Sequence, residues 1–278
     1  MITSSTTVKR TVHILSAAIV LSICNSFSLT GQSVARAAKE INRFSVAEAK
    51  QAVAVDKKYF YVINNSTITK HDRLNGDLIA SWDGRESGVT HLNSGVVVRG
   101  KLYCASSNYP ESPMASSIEI FDAATLKHTG NHSFGIFTGS ATWIDMHSGS
   151  WYVGFAHYTG TGSSEGKDTR WTSVVKFDKK WRQTGSWTFP ENVIREFMPQ
   201  SNSGAVWDKE GRLYCTGHDK PELYVLEIPR TGYTLKYIET IQVPVYGQGI
   251  AVDRQTSDRL VFYGIKRSEN LVIEFEIR

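Results

Sequence analysis

The sequence predicts an all-β fold, a five-bladed β-propeller closed by an N-terminal strand, on three observations. Short β-branched or alternating runs are separated by Gly, Asn, Asp and Ser clusters; the runs recur in a fixed order; and the repeats are 42 to 62 residues long. The chain of 278 residues is 41% hydrophobic, 11% aromatic and 21% charged, a globular composition that excludes disorder. Its three cysteines are too few for a disulfide scaffold.

The first element is a leader. Lys9 and Arg10 precede an apolar stretch, Val12 to Ile23, that is too short and interrupted for a stable membrane span. Small residues follow, and Ala35-Arg36-Ala37 has the pattern read by signal peptidases, which predicts a signal peptide over residues 1–37 and one propeller domain over 38–278. A secreted or periplasmic protein is expected. Three of the 31 basic residues, Lys9, Arg10 and Arg36, lie in the leader, which has no acid, so 28 basic residues face 27 acidic ones in the remainder. That balance leaves no footprint for nucleic acid.

The repeats follow. First strands end in an acid at Ala52–Asp56, Ala141–Asp145, Gly204–Asp208 and Gly249–Asp253, with Gly95–Arg99 as the variant. Second strands run over Tyr59–Asn64, Lys101–Ala105, Ser150–Gly154, Arg212–Thr216 and Arg259–Tyr263. Third strands are Ile68–Asp72, Ile118–Asp122, Val174–Asp178, Leu223–Glu227 and Val272–Glu276, and looser fourth strands surround Leu78–Trp82, His128–Phe134, Thr184–Phe189 and Leu235–Val243. The last repeat stops after its third strand, while Glu40–Val46 precedes the first repeat without a sheet of its own. Pairing these two ends closes the ring and leaves no open edge. Cys104 and Cys215 fall at equivalent places in non-adjacent blades, too far apart for disulfide geometry, and are expected to be buried fillers.

In this architecture the starts of the first strands and the ends of the second strands share one face, where side chains from every blade converge. Counting from the second strands puts Ser66, Asn108, His157, Asp219 and Lys266 at one aligned position, with His218 one residue earlier and His91 entering blade two. His157, His218, Asp219 and Lys266 supply an imidazole base, a carboxylate and an ammonium, the set acid–base chemistry needs. The alignment can slip by one residue at strand ends. The competing reading is that polar strand ends simply meet solvated turns.

His91, Asn108, Tyr158, Trp171, Gln248 and Arg267 are the candidate binding residues around them. The long Gly-rich insertion Tyr158–Trp171 reads either as a lid or as a tolerated surface insertion. No helix follows its glycines, which argues against phosphate cradling. A divalent metal at His91, His157 and His218 fits imidazole chemistry, but no local spacing supports it, so the cofactor stays unassigned. The acids closing the first strands are expected to bind turn backbone rather than substrate.

The segments Trp143-Ile-Asp145, Phe155-Ala-His-Tyr158, Trp171–Asp178, Ser201–Gly204, Tyr214-Cys-Thr-Gly-His-Asp219 and Glu222–Val225 resemble a family of small exported bacterial propellers labelled cycloisomerase-like. The resemblance covers about residues 45–278. It implies a propeller fold and ring-closing, lactone or lyase-like chemistry, and it draws attention to His157 and His218. A more distant similarity to gluconolactonase-like propellers implies sugar acids or lactones, although the metal-binding carboxylates of that group are not recognisable here. The reading is an exported propeller acting on a small carbohydrate-derived, lactone or sugar-acid substrate; the alternative is a non-catalytic module that binds a glycan or a protein. The sequence carries no signal for oligomeric state.

Overall fold

The computed structural model describes residues 1, 2, 4, 36–256 and 258–278, so nearly all of the leader expected over residues 1–37 lies outside the described residues. Strand β1 (Ala38–Ser45) comes first. Blade one is β2 (Ala52–Val55), β3 (Tyr59–Asn64), β4 (Thr67–Asp72) and β5 (Leu78–Asp83). Blade two is β6 (Leu92–Val98), β7 (Lys101–Ser107), β8 (Ser116–Asp122) and β9 (His128–Gly135). Blade three is β10 (Ser140–His147), β11 (Ser150–Ala156), β12 (Ser173–Phe177) and β13 (Gln183–Thr188), followed by a short helix, α1 (Glu191–Phe197). Blade four is β14 (Gly204–Trp207), β15 (Arg212–Thr216), β16 (Glu222–Glu227) and β17 (Lys236–Gln242). The last sheet is β18 (Ala251–Val252), β19 (Leu260–Lys266) and β20 (Leu271–Ile277), with β1 as its fourth strand.

The inner strands β2, β6, β10, β14 and β18 neighbour one another in that cyclic order, and β18 lies back against β2. The chain is an all-β five-bladed β-propeller. Its core is divided among the blade interfaces. Tyr61, Ile63, Leu102 and Phe121 pack between blades one and two, and Ala105, Val153 and Phe155 between two and three. Trp143, Trp207 and Leu213 fill the next interface, Val206, Phe262 and Phe275 the one after, and Phe60, Val62 and Ile265 join blade five to blade one. Each fully buried aliphatic or aromatic side chain contributes roughly 1.5–3 kcal/mol. Inner strands are buried on both faces and so read as continuous apolar runs, whereas the outer strand β9 alternates between half-buried and exposed residues along its whole length.

β1 pairs antiparallel with β20, with Ala38 opposite Ile277 and Ser45 opposite Leu271. The ladder extends outward by reciprocal backbone bonds between Ala37 and Arg278 at 3.3 and 3.1 Å. Glycine is required at Gly154 on β11, because a Cβ there would lie 1.9 Å from the indole nitrogen of Trp143. That indole donates to Asn202 Oδ1, whose amide nitrogen donates in turn to the carbonyls of Gly204 and Thr216.

Helix α1 has no counterpart in the sequence reading; it follows Pro190 and buries Val193, Ile194 and Phe197 against blades three and four. Cys104 and Cys215 carry free thiols in separate cores, and burial pushes both thiols well above their ordinary range. Among the described residues no helix is long and apolar enough to cross a membrane.

Candidate functional site

The starts of the inner strands and the ends of the second strands form what we call the upper face; the opposite strand ends form the lower face. On the upper face the predicted residues fall into three groups.

The tightest lies just beyond β15. Gln248, in a left-handed backbone conformation (φ 65°), donates its backbone N–H to Gly217 O at 3.1 Å and its side-chain amide to His218 O at 3.1 Å. This approach needs Gly247, since a Cβ there would sit 2.2 Å from the backbone of His218. Held this way, His218 Nδ1 lies 2.7 Å from Asp219 Oδ2. Arg267 Nη2 donates to Asp219 Oδ1 at 2.7 Å, and its Nη1 lies 3.5 Å from His218 Nε2. A carboxylate can only accept, so the His218 proton belongs on Nδ1 and Nε2 carries the lone pair. The His218 side chain is 30% exposed and that of Asp219 63% exposed.

His157 is a different kind of histidine. Its Nε2 lies 3.2 Å from Thr138 O, a carbonyl that can only accept, which leaves Nδ1 as the unprotonated nitrogen. Nδ1 is buried without a hydrogen-bond partner. Burial, reinforced by Lys167, holds the imidazole below its ordinary pKa.

The third group is aromatic. His91 stands 5.3 Å from the ring of Tyr109, which stands 4.8 Å from buried Tyr158. Burial lowers the pKa of His91 and raises that of the Tyr158 phenol.

The remaining predicted residues have other partners. Lys266 pairs with Glu269 at 2.6 Å and lies over the ring of Tyr246. Asn108 closes its own loop, accepting from Ala115 N at 2.7 Å and donating to Pro113 O at 3.0 Å. Trp171 ends a 3-10 turn over Thr169–Trp171 and is 55% exposed, with the Lys167 ammonium 5.7 Å from its ring. The base of this insertion is fastened down, since Thr159 N donates to Pro199 O at 3.0 Å and Thr169 Oγ1 to Gln200 O at 2.9 Å. Among the described residues no group of three or more His, Cys, Asp or Glu side chains is placed to hold a metal ion, so His91, His157 and His218 do not form such a set.

The lower face carries features the sequence reading missed. Asp56, Asp208 and Asp253 accept turn backbone N–H groups, as expected of strand-closing acids. Asp145 does more. It is wholly buried and accepts from Met146 N and Trp207 N at 2.8 Å each, while Arg254 Nη2 donates to its two oxygens at 2.8 and 2.6 Å. Two cavities of about 440 Å³ each open on this face, and Arg254 lines both. One is walled by His147, Trp207, Asp208 and Tyr214, with Arg36 at its edge donating to Tyr214 Oη at 3.0 Å and to Glu239 at 2.8 Å. The available signal was the clustering of strand-closing acids on one face beside Arg254.

The class defined by this geometry is a propeller with an Asp–His pair on its upper face. Two solved propeller structures are similar to it. Myxococcus xanthus glutaminyl cyclase matches with a TM-score of 0.56 at 13% identity, covering 88% of this chain and 97% of that one. The PQQ-bound aldose sugar dehydrogenase of Streptomyces coelicolor matches with a TM-score of 0.55 at 12% identity, covering 87% of this chain and 98% of that one. At such identities the likeness establishes the fold alone. No protein-family model matches the sequence, and no curated protein matches it.

Proposed function

We propose that this chain is an exported β-propeller enzyme that performs acid–base chemistry on a small carbohydrate-derived, lactone or sugar-acid molecule at the upper face. The observation that carries the reading is the Asp219–His218–Arg267 arrangement. Asp219 fixes the tautomer and compensates the imidazolium that forms; Nε2 takes a proton from the substrate; and Arg267, 3.5 Å from that nitrogen, is placed to balance a developing oxyanion or carboxylate. His218 is favoured over His157 as the base because the free nitrogen of His157 is sealed from solvent. The names of the two similar structures, a cyclase and a sugar dehydrogenase, are in keeping with an enzymatic propeller and a sugar-like substrate. Export rests on the leader pattern of residues 1–37.

The test is incubation of the purified protein with lactones, sugar acids and oligosaccharides, followed by mass and NMR analysis with and without chelator. Product formation that falls about 10²–10⁴-fold in His218→Ala is expected. Full turnover in that variant overturns the assignment.

A second reading, a non-catalytic glycan-binding module, is favoured by exposed Trp171 with Lys167 beside its ring, a surface suited to stacking on a sugar. Ligand perturbation without product supports it.

The closing role of the N-terminal strand belongs to the same proposal. β1 covers the edge of β20 and brings buried Phe44 into the core between blades five and one. Deletion through Ser45 is expected to abolish cooperative thermal unfolding; a sharp, near-normal transition would remove β1 from that role.

A further inference from the structure

Arg254 uses one nitrogen for its structural task. Nη2 alone spans both oxygens of Asp145 and reaches Trp207 O at 3.4 Å. Among the described residues Nη1 and Nε meet no hydrogen-bond acceptor, and the side chain stands where the two lower-face cavities meet. A guanidinium is rigid and planar, so fixing one nitrogen to a wholly buried carboxylate fixes the direction of the others. The acids nearest it are occupied: Asp253 by Arg73 at 2.6 Å, and Asp208 by Arg212 N and Tyr214 Oη at 2.8 and 3.1 Å. The rim carries Glu210 and Asp258 together with Lys209, whose ammonium donates to Thr256 O at 3.1 Å, and Arg259, which lies 4.0 Å from Glu276.

We infer that the lower face is a second binding site, for a small molecule bearing a carboxylate, which Arg254 receives on the free Nη1 of its guanidinium. Both two-pronged edges of a guanidinium include Nη2, which Asp145 holds, so Nη1 meets the incoming carboxylate through a single charge-assisted hydrogen bond. The cavity walled by His147 and Trp207, about 440 Å³, has room for the body of a molecule the size of a sugar acid. This site lies on the opposite face from His218 and does not depend on the acid–base reading.

The test is calorimetric titration of the full chain with D-galacturonate, acetate and methyl galactoside. Both acids are expected to bind, galacturonate more tightly, and the neutral glycoside not to bind. Arg254→Lys keeps one nitrogen for Asp145 and loses the free Nη1, so carboxylate affinity is expected to fall at least about tenfold while the melting temperature holds within about 2 °C. If Arg254→Lys fails to fold, the double variant Asp145→Asn with Arg254→Gln removes both charges together and is expected to lose the same binding. His218→Ala is expected to leave galacturonate affinity at this site unchanged. Undiminished carboxylate binding in the folded Arg254 variants overturns the inference, as does the absence of binding by either acid up to about 50 mM, roughly the weak limit of specific recognition. Binding lost in His218→Ala but kept in Arg254→Lys assigns the acid to the upper face and also overturns it.

Discussion

The upper and lower faces of this ring use the same side-chain types to different ends. Below, Asp145 is wholly buried and accepts from an arginine and two backbone amides. Above, Asp219 is 63% exposed and shares itself between an imidazole and an arginine. A buried carboxylate with all its donors in place is part of the scaffold, because removing its partners leaves a charge in a low dielectric. An exposed carboxylate on a histidine adds little to the fold, because water screens it, and leaves the far imidazole nitrogen available for chemistry. Pairing alone therefore does not distinguish structure from function; the burial of the acceptor and the freedom of the base do.

The contrast can be broken most directly at Asp145. Asp145→Ala strands Arg254 and two buried N–H donors and is expected to cost about 3–5 kcal/mol, read by urea unfolding. A loss below about 1 kcal/mol, the range of an exposed pair, would erase the difference between the faces.

His218→Ala is the reciprocal experiment: the turnover loss given above is expected with a melting temperature within about 2 °C of the parent. A large fall in melting temperature would place His218 in the scaffold.

A smaller effect is expected from pH. Burial holds His91 and His157 below the ordinary imidazole value of 6.5, so the unfolded chain binds protons that the folded chain refuses. Their contribution to stability is full above pH 6.5 and is lost as pH falls below it toward the depressed folded values. Thermal melts between about pH 7.5 and 5 should show this slope, and His157→Gln should flatten it; an unchanged slope removes His157 as a source.

The smallest expected stability change is at Asp219. Asp219→Asn should melt within about 2 °C of the parent while lowering turnover, since an amide no longer selects the same tautomer or compensates the imidazolium. Unaltered turnover would confine Asp219 to the surface.

What the sequence disclosed follows the range of each interaction. Inner strands such as Gly204–Asp208 were legible because double-sided burial demands an apolar run and the turn demands the acid. Outer strands, half in solvent, carry weaker patterns. Helix α1 escaped because its three buried residues, Val193, Ile194 and Phe197, complete only one apolar turn. On the upper face the repeat register led to Asp219 and its neighbour His218, but alternation along the chain end turns Lys266 toward Glu269 and gives Arg267 to the cluster. The Asp145–Arg254 pair joins residues 109 positions apart, and no local spacing could announce it.

The backbone bonds between Ala37 and Arg278 have a consequence for the order of events in a cell. A signal peptidase must draw its target bond into an extended, unpaired strand, and here the bond after Ala37 sits inside a β-ladder, with Arg36 tied to Glu239. Once the final sheet has formed, the backbone of Ala37 is already paired with that of Arg278. On the export reading proposed above, a cut after Ala37 has to precede the pairing of β1 with β20, while the chain is still unfolded. On the same reading, a chain cut there loses Arg36, which in the uncut chain lines the lower cavity.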